Sequence, residues 1–177
     1  MVRYKQLGYL ALNVRDVERS TRYYRDVVGL QEMGASPQLA LLRCSDKHHD
    51  IALYAGEPGL RRIGFELESE SQLSPLQSAL RNAGVEWIDI PAQDLKDMGI
   101  EAGLRTWEPV TGAALDFYVG MRPAEAPPFS ATVAKIQRLG HFVLRSTDEP
   151  ATTRFFTDVL NFKVSDSIEG AATFLRC

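Results

Sequence analysis

One feature constrains the chain more than any other: its beginning returns near its end. Residues 7–30, LGYLALNVRDVERSTRYYRDVVGL, align without a gap on residues 139–162, LGHFVLRSTDEPATTRFFTDVLNF, an offset of 132 (139 − 7). Leu7 meets Leu139, Gly8 meets Gly140, Leu12 meets Leu144, Asp16 meets Asp148, Arg22 meets Arg154, Asp26 meets Asp158 and Val27 meets Val159, while Tyr23-Tyr24 answers Phe155-Phe156. With one residue inserted, Leu42-Arg43-Cys44 also meets Leu175-Arg176-Cys177. A repeat this long means that the fold is assembled from one supersecondary unit used more than once, and such units bury their apolar faces against each other.

Each copy reads as a strand, an Asp in N-cap position, a segment with apolar residues on one helical face, and a stop at Gly29 or Asn161. In the first copy Leu7–Leu12 is apolar on both faces, as a buried strand is, and Asp16 starts a helix carrying Val17, Tyr24, Val27 and Val28. Apolar stretches near 30–34, 38–44 and 50–54 complete a βαβββ unit. A second, divergent unit begins with the strand Ile63–Leu67, continues with a helix from Ser71 to Ala83 bearing Leu73, Leu76 and Leu80, stops at Gly84, and ends with strands near 85–90, 103–108 and 113–119. Residues 121–135, MRPAEAPPFSATVAK, hold three prolines and no periodicity, which reads as a linker. The expected organisation is therefore α+β: a two-unit domain over 1–120, a linker over 121–135 and a third, incomplete unit over 136–177.

Composition narrows the partners. The chain is 45% apolar and 24% charged with a net charge of −3, so a packed core is within reach and disorder is excluded. No apolar run approaches the roughly 18 residues of a membrane span, and the start lacks a secretory apolar stretch, which points to a cytoplasmic protein with no membrane partner. Lys and Arg are scattered rather than striped, so no nucleic-acid footprint is present. Cys44 and Cys177 occupy equivalent repeat positions without metal-knuckle spacing and read as small buried strand residues.

The paired βαβββ units, LLRCSDKHHDIALY in the first copy, and LGHFVL followed by FFTDVLNFKVSDSIEGAATFLRC in the third resemble the vicinal oxygen chelate superfamily. Within it, the chain is similar to the type I extradiol ring-cleaving dioxygenases acting on catechol and 2,3-dihydroxybiphenyl. The resemblance covers essentially the whole chain. It implies units paired into an open barrel, a metal-free N-terminal domain, and a C-terminal domain holding Fe(II), sometimes Mn(II), through a His on the third unit's first strand, a His on the fourth unit's first strand and a late Glu. Two imidazoles and one carboxylate on one face of the ion leave adjacent positions for an aromatic diol and dioxygen. A lone His on a strand is ordinarily a core residue with its hydrogen bonds satisfied; its place in LGHFVL instead matches His141 to the family's first metal ligand.

At the corresponding places in the first domain stand Tyr9 for the first His, Gly64 or Ile63 for the second, and Asp116 for the Glu. One oxygen ligand without a nitrogen does not hold Fe(II). By their place before a fourth strand, His48 and His49 resemble a histidine that assists proton transfer beside the metal in the family's other domain. In this metal-free copy they read instead as a solvated turn and a half-buried strand start, and Glu66, Glu68 and Glu70 read as a solvated face. By the repeat, a complete second domain would run about 75 residues further. The chain as given is thus expected to hold no stoichiometric metal and to show little activity by itself. Its third unit is expected to expose an apolar face, and so either to form a homo-oligomer through the region of His141 and Phe174 or to be protease-sensitive. Two other readings stay open: a metal-free module binding an aromatic ligand, as in bleomycin-resistance proteins, and a glyoxalase-type isomerase.

Overall fold

The computed structural model describes residues 1–132 and 134–177; Val133, in the expected linker, lies outside the described residues. The first unit consists of β1 (Tyr4–Val14), α1 (Val17–Tyr23), β2 (Gln31–Ala35), β3 (Leu39–Arg43) and β4 (Ile51–Ala55). The Asp16 carboxylate accepts the Arg19 backbone N–H at 2.8 Å, giving α1 its start. After Tyr23 the helix widens into one π turn, Tyr24–Val28, and stops at Gly29, whose φ of +87° is the left-handed geometry glycine adopts without strain. Val27, within this turn, is 67% exposed.

The second unit holds β5 (Gly59–Leu67), a 3₁₀ turn at Glu70–Gln72, α2 (Leu73–Asn82), β6 (Trp87–Asp89), α3 (Ala92–Met98), β7 (Ala102–Trp107) and β8 (Ala114–Val119). The sequence pattern did not anticipate α3. The eight strands form one mixed sheet in the order β2-β3-β4-β1-β5-β8-β7-β6. β1 runs antiparallel to β5 at its centre, while each unit's first strand is parallel to its own last strand, β1 to β4 and β5 to β8. The two units are thus related by an approximate two-fold across β1 and β5, and the sheet is open at both edges.

Strand alternation divides the core between the two faces. On one face Ile63, Phe65, Leu67, Leu115 and Phe117 pack under Leu76 and Leu80 of α2, and Leu42, Leu53 and Ile51 pack with Val17 of α1. On the other face Tyr9, Ala11, Ala52 and Tyr118 meet Met98 of α3 together with Ile90 and Ile100.

The third unit contains α4 (Glu149–Arg154), a π turn at Phe155–Val159, β9 (Lys163–Ile168) and β10 (Ala172–Arg176). Its parallel with the first copy is detailed. Asp148 caps α4 through the Ala151 N–H at 3.0 Å, the π turn recurs, and Asn161, the counterpart of Gly29, has a φ of +62°. Two expectations need correction. The LGHFVL stretch is not a strand: residues 139–146 enter no ladder among the described residues, because nothing there corresponds to the β4 and β5 that flank β1. Nor is the helical face left bare. Phe155, Phe156, Leu160 and Phe162 are buried in the same cluster as Phe65 and Phe117. The Tyr4 hydroxyl donates to the Leu160 carbonyl at 2.6 Å, and Asn161 Nδ2 donates to the Val2 carbonyl at 2.9 Å. What remains exposed in this unit is Val143 (85%) and, on its β9–β10 hairpin, Val164, Ile168 and Phe174. Cys44 is buried as expected, whereas Cys177 is exposed. The Pro-rich segment packs on the first unit: Phe129 N–H donates to Asp46 and the buried Arg43 guanidinium to the Pro127 carbonyl.

Candidate functional site

The face covered by α3 concentrates the molecule's buried charge. Four residues stand in one row across four strands: Tyr9 on β1 is registered with Gly64 on β5, Gly64 with Asp116 on β8, and Asp116 with Arg105 on β7. Gly64 makes the row possible. A Cβ there would sit 2.2 Å from the Tyr9 ring, so only a glycine lets that ring lie over β5 and bring its hydroxyl 2.6 Å from Asp116 Oδ2.

Arg105 grips the same carboxylate as a fork, Nε to Oδ1 at 2.6 Å and Nη2 to Oδ2 at 2.9 Å. Its Nη2 also donates to Asp94 Oδ2 of α3 at 2.7 Å, and Arg62 of β5 reaches that oxygen through Nη1 at 2.8 Å. Arg62 further donates to the Tyr54 hydroxyl of β4, which donates to Met98 Sδ of α3, while Arg62 Nε lies 3.6 Å from Asp116. Two guanidiniums and two carboxylates therefore tie five strands to one short helix, and their charges cancel. Asp116, Arg62 and Arg105 are buried, so the pairing is what makes their burial tolerable. Burial opposes charge on Arg105, yet its hydrogen bonds to Asp116 and Asp94 push its pKa up. The Tyr9 hydroxyl is raised well above the usual range by burial first and by the Asp116 charge second, so it stays a neutral donor.

Beside this row His49 is completely buried, contrary to the half-buried strand start expected of it. Its Nδ1 lies 3.0 Å from Nδ1 of the half-buried His48, and its ring rests 5.2 Å from that of Tyr9. Burial, then His48, Lys47 and Arg62, hold its pKa well below the ordinary histidine value. Glu66 also departs from the sequence reading: it is buried and paired with Lys5 at 2.7 Å, while Glu68 and Glu70 are exposed.

Sequence reasoning singled out Tyr9, Gly64 and Asp116 but missed Arg62, Arg105 and Asp94. A signal was present. GLRRIGFEL and AGLRTW each set an arginine inside an apolar strand, and an inward arginine demands a carboxylate partner.

His141 stands elsewhere, exposed on the extended stretch 139–146, whose Phe142 and Leu144 turn toward the core while His141, Val143 and Arg145 turn away. Neither place fits a bound Fe(II). Among the described residues no three His, Cys, Asp or Glu side chains are grouped to hold a cation, and His141 alone offers one nitrogen. In the first domain, Asp116 is already neutralised by one guanidinium and faced by a second. Likewise, no helix among the described residues is long and apolar enough to cross a membrane.

Comparison with known proteins adds the family context. Residues 6–103 match the model of the glyoxalase/bleomycin resistance protein/dioxygenase superfamily. An iron-dependent extradiol dioxygenase of Rhodococcus jostii is 29% identical over 170 residues, covering 93% of this chain and 56% of that protein. The chain thus spans little more than half the length of this relative. Among solved structures, a catechol 2,3-dioxygenase superposes with a TM-score of 0.83 at 24% identity, covering 100% of this chain and 64% of its own. The Mn(II)-bound glyoxalase of Novosphingobium aromaticivorans superposes with a TM-score of 0.82 at 25% identity, covering 100% and 59% respectively.

Proposed function

Because the chain belongs to the glyoxalase/bleomycin resistance protein/dioxygenase superfamily, we propose that it is the scaffold and first-ligand portion of an extradiol dioxygenase opening an aromatic vicinal diol with dioxygen. The observation that supports this reading is the match of 93% of the chain to an iron-dependent extradiol dioxygenase, 56% of which is covered. In this reading residues 1–120 form a metal-free body, residues 121–135 a connector fastened to that body, and residues 136–177 the start of the metal-bearing domain, with His141 as one of its nitrogen ligands. The resident ion of the complete site is Fe(II), or alternatively Mn(II). The ligand set is incomplete in this chain, so the chain alone is inactive.

The interior of the first domain weighs against the alternative of an aromatic-binding cup. Its α3-covered face is filled by Tyr9, Tyr118 and Met98, and a single added Cβ at Gly64 would collide with Tyr9. On the third unit, the exposed Val143, Val164, Ile168 and Phe174 support self-association through this face.

A fusion tests the central claim: the part of the Rhodococcus jostii relative that lies beyond its match is joined after Cys177. The fusion is expected to bind about one iron per chain and to take up oxygen with 2,3-dihydroxybiphenyl, and His141→Ala to abolish both. Iron retained at the same level in a folded His141→Ala fusion would overturn the ligand assignment. Ring cleavage by the 177-residue chain alone would overturn its incompleteness.

A further inference from the structure

The residues at the heart of the first domain disagree with a metal site in a specific way, and the disagreement is informative. Asp116 is not merely unaccompanied by nitrogen ligands. Both its oxygens accept from one planar cation, Arg105, whose Nη2 also donates to Asp94, and the Tyr9 hydroxyl donates to Oδ2 of the same Asp116 carboxylate. We infer that the Arg105 guanidinium is the resident counter-cation of this domain's interior, occupying the place between Tyr9, Asp94 and Asp116 that a free cation would otherwise need, and that this place is by its chemistry a guanidinium site rather than a divalent-ion site. The inference deepens the reading of residues 1–120 as metal-free and rests on it.

Three observations converge. Arg105 and Asp116 are direct register partners on adjacent antiparallel strands, so the ladder itself delivers the fork. The acceptors lie as a carboxylate edge and one further carboxylate oxygen, which suits a planar fork of N–H donors; a compact divalent ion wants several converging lone pairs and would stand beside the Arg62 guanidinium, whose Nη1 shares Asp94 Oδ2. Finally, the same Nη2 holds α3 across the face, so the counter-cation also closes the interior: Asp94 is the polar tie of a seven-residue helix whose other anchor here is Met98. Arg105 thus does two things at once. It neutralises Asp116, and it pins the helix that covers Asp116.

The test is chemical rescue in the full chain. Arg105→Ala leaves Asp116 buried beside Tyr9 and opens a space of guanidinium shape; its melting midpoint is expected about 10 °C below that of the parent, as breaking a buried pair in a chain of this size implies. Millimolar methylguanidinium chloride is expected to raise that midpoint saturably, while sodium chloride at equal ionic strength and millimolar MnCl₂ leave it where it is. A midpoint raised by Mn²⁺ and not by methylguanidinium overturns the assignment, as does an Arg105→Ala chain that melts with the parent. Should Arg105→Ala fail to fold, two further variants decide. Arg105→Met with Asp116→Asn removes both charges and is expected to melt above Arg105→Met alone; a double variant melting lower than that single one refutes the pairing. Asp94→Asn cuts only the tie to α3 and is expected to speed amide exchange over residues 92–98 at least tenfold relative to β7 and β8. Unchanged exchange there refutes the pinning. None of these readouts involves ring cleavage, so their failure and that of the fusion experiment are separate outcomes.

Discussion

Phe156→Ala probes whether the third unit is fused to the first two or merely tethered to them. The Phe156 ring is 2% exposed, 5.2 Å from the Phe162 ring and 5.7 Å from that of Phe155, inside a cluster whose other members include Ile63, Phe65, Leu115 and Phe117 of the eight-stranded sheet. Truncating a fully buried phenylalanine costs about 3–5 kcal/mol, since the lost transfer free energy is joined by a cavity that rigid neighbours cannot close. Phe162 stacks edge-on against Tyr4 and Phe65, and the Leu160 carbonyl and the Asn161 side chain are tied to Tyr4 and Val2, so little relaxation is available and the upper half of that range applies. For a chain of this size, a loss of about 4 kcal/mol lowers the melting midpoint by roughly 10 °C. The assay follows from where the fluorophores lie. The two tryptophans, Trp87 and Trp107, both belong to the second unit, so intrinsic fluorescence reports on the sheet while the substitution is in the third unit. Urea unfolding followed by tryptophan fluorescence is expected to show a midpoint shift as large as that seen by far-UV dichroism. A tryptophan transition unmoved by Phe156→Ala would refute the shared core and show the third unit folding by itself.

Two further outcomes are expected. His49 is buried with its pKa depressed, so below about pH 6.5 the unfolded chain binds the proton that the folded chain refuses; stability is full above that pH and falls as pH drops toward the folded-state value. Denaturation midpoints measured from pH 7.5 to 5 should therefore decline, and His49→Gln should flatten the decline; an equal slope in the variant would remove His49 as its cause. The exposed face of the third unit should make the chain associate as its concentration rises in sedimentation velocity, and Phe174→Glu should return it to monomer; a chain monomeric at every concentration excludes self-association through this face.

Much of the architecture could be read along the chain because it depends on neighbours in sequence. The alignment of 7–30 with 139–162 announced repeated units, and the caps at Asp16 and Asp148 and the left-handed stops at Gly29 and Asn161 are local events set by side chains within a turn of the helix. The same proximity explains the adjacency of β2, β3 and β4, but not the parallel pairings of β1 with β4 and of β5 with β8. The seven-residue α3 escaped notice because AQDLKDM carries little periodic signal over so short a span, and its stability comes from Asp94 meeting Arg62 and Arg105 and Met98 meeting Tyr54, all outside the helix. Burial of His49 and Glu66 escaped for a related reason: polar residues near strand ends look solvated until distant elements are packed against them.

For the site, the sequence alone determined the ingredients: a tyrosine, a glycine and an aspartate at corresponding repeat places, and one histidine in LGHFVL. Only the tertiary structure decided what they do. Register across β1, β5, β8 and β7 sets Tyr9, Gly64, Asp116 and Arg105 in one row, turning an apparent remnant into a closed ion network. Packing of Phe155, Phe156, Leu160 and Phe162 on the sheet seals the helix that the repeat alone would leave exposed, and it leaves His141 facing outward. Residue type and spacing follow from the chain, but which charge meets which depends on strands paired across up to 63 residues (67 − 4), and that pairing exists only once the sheet has formed.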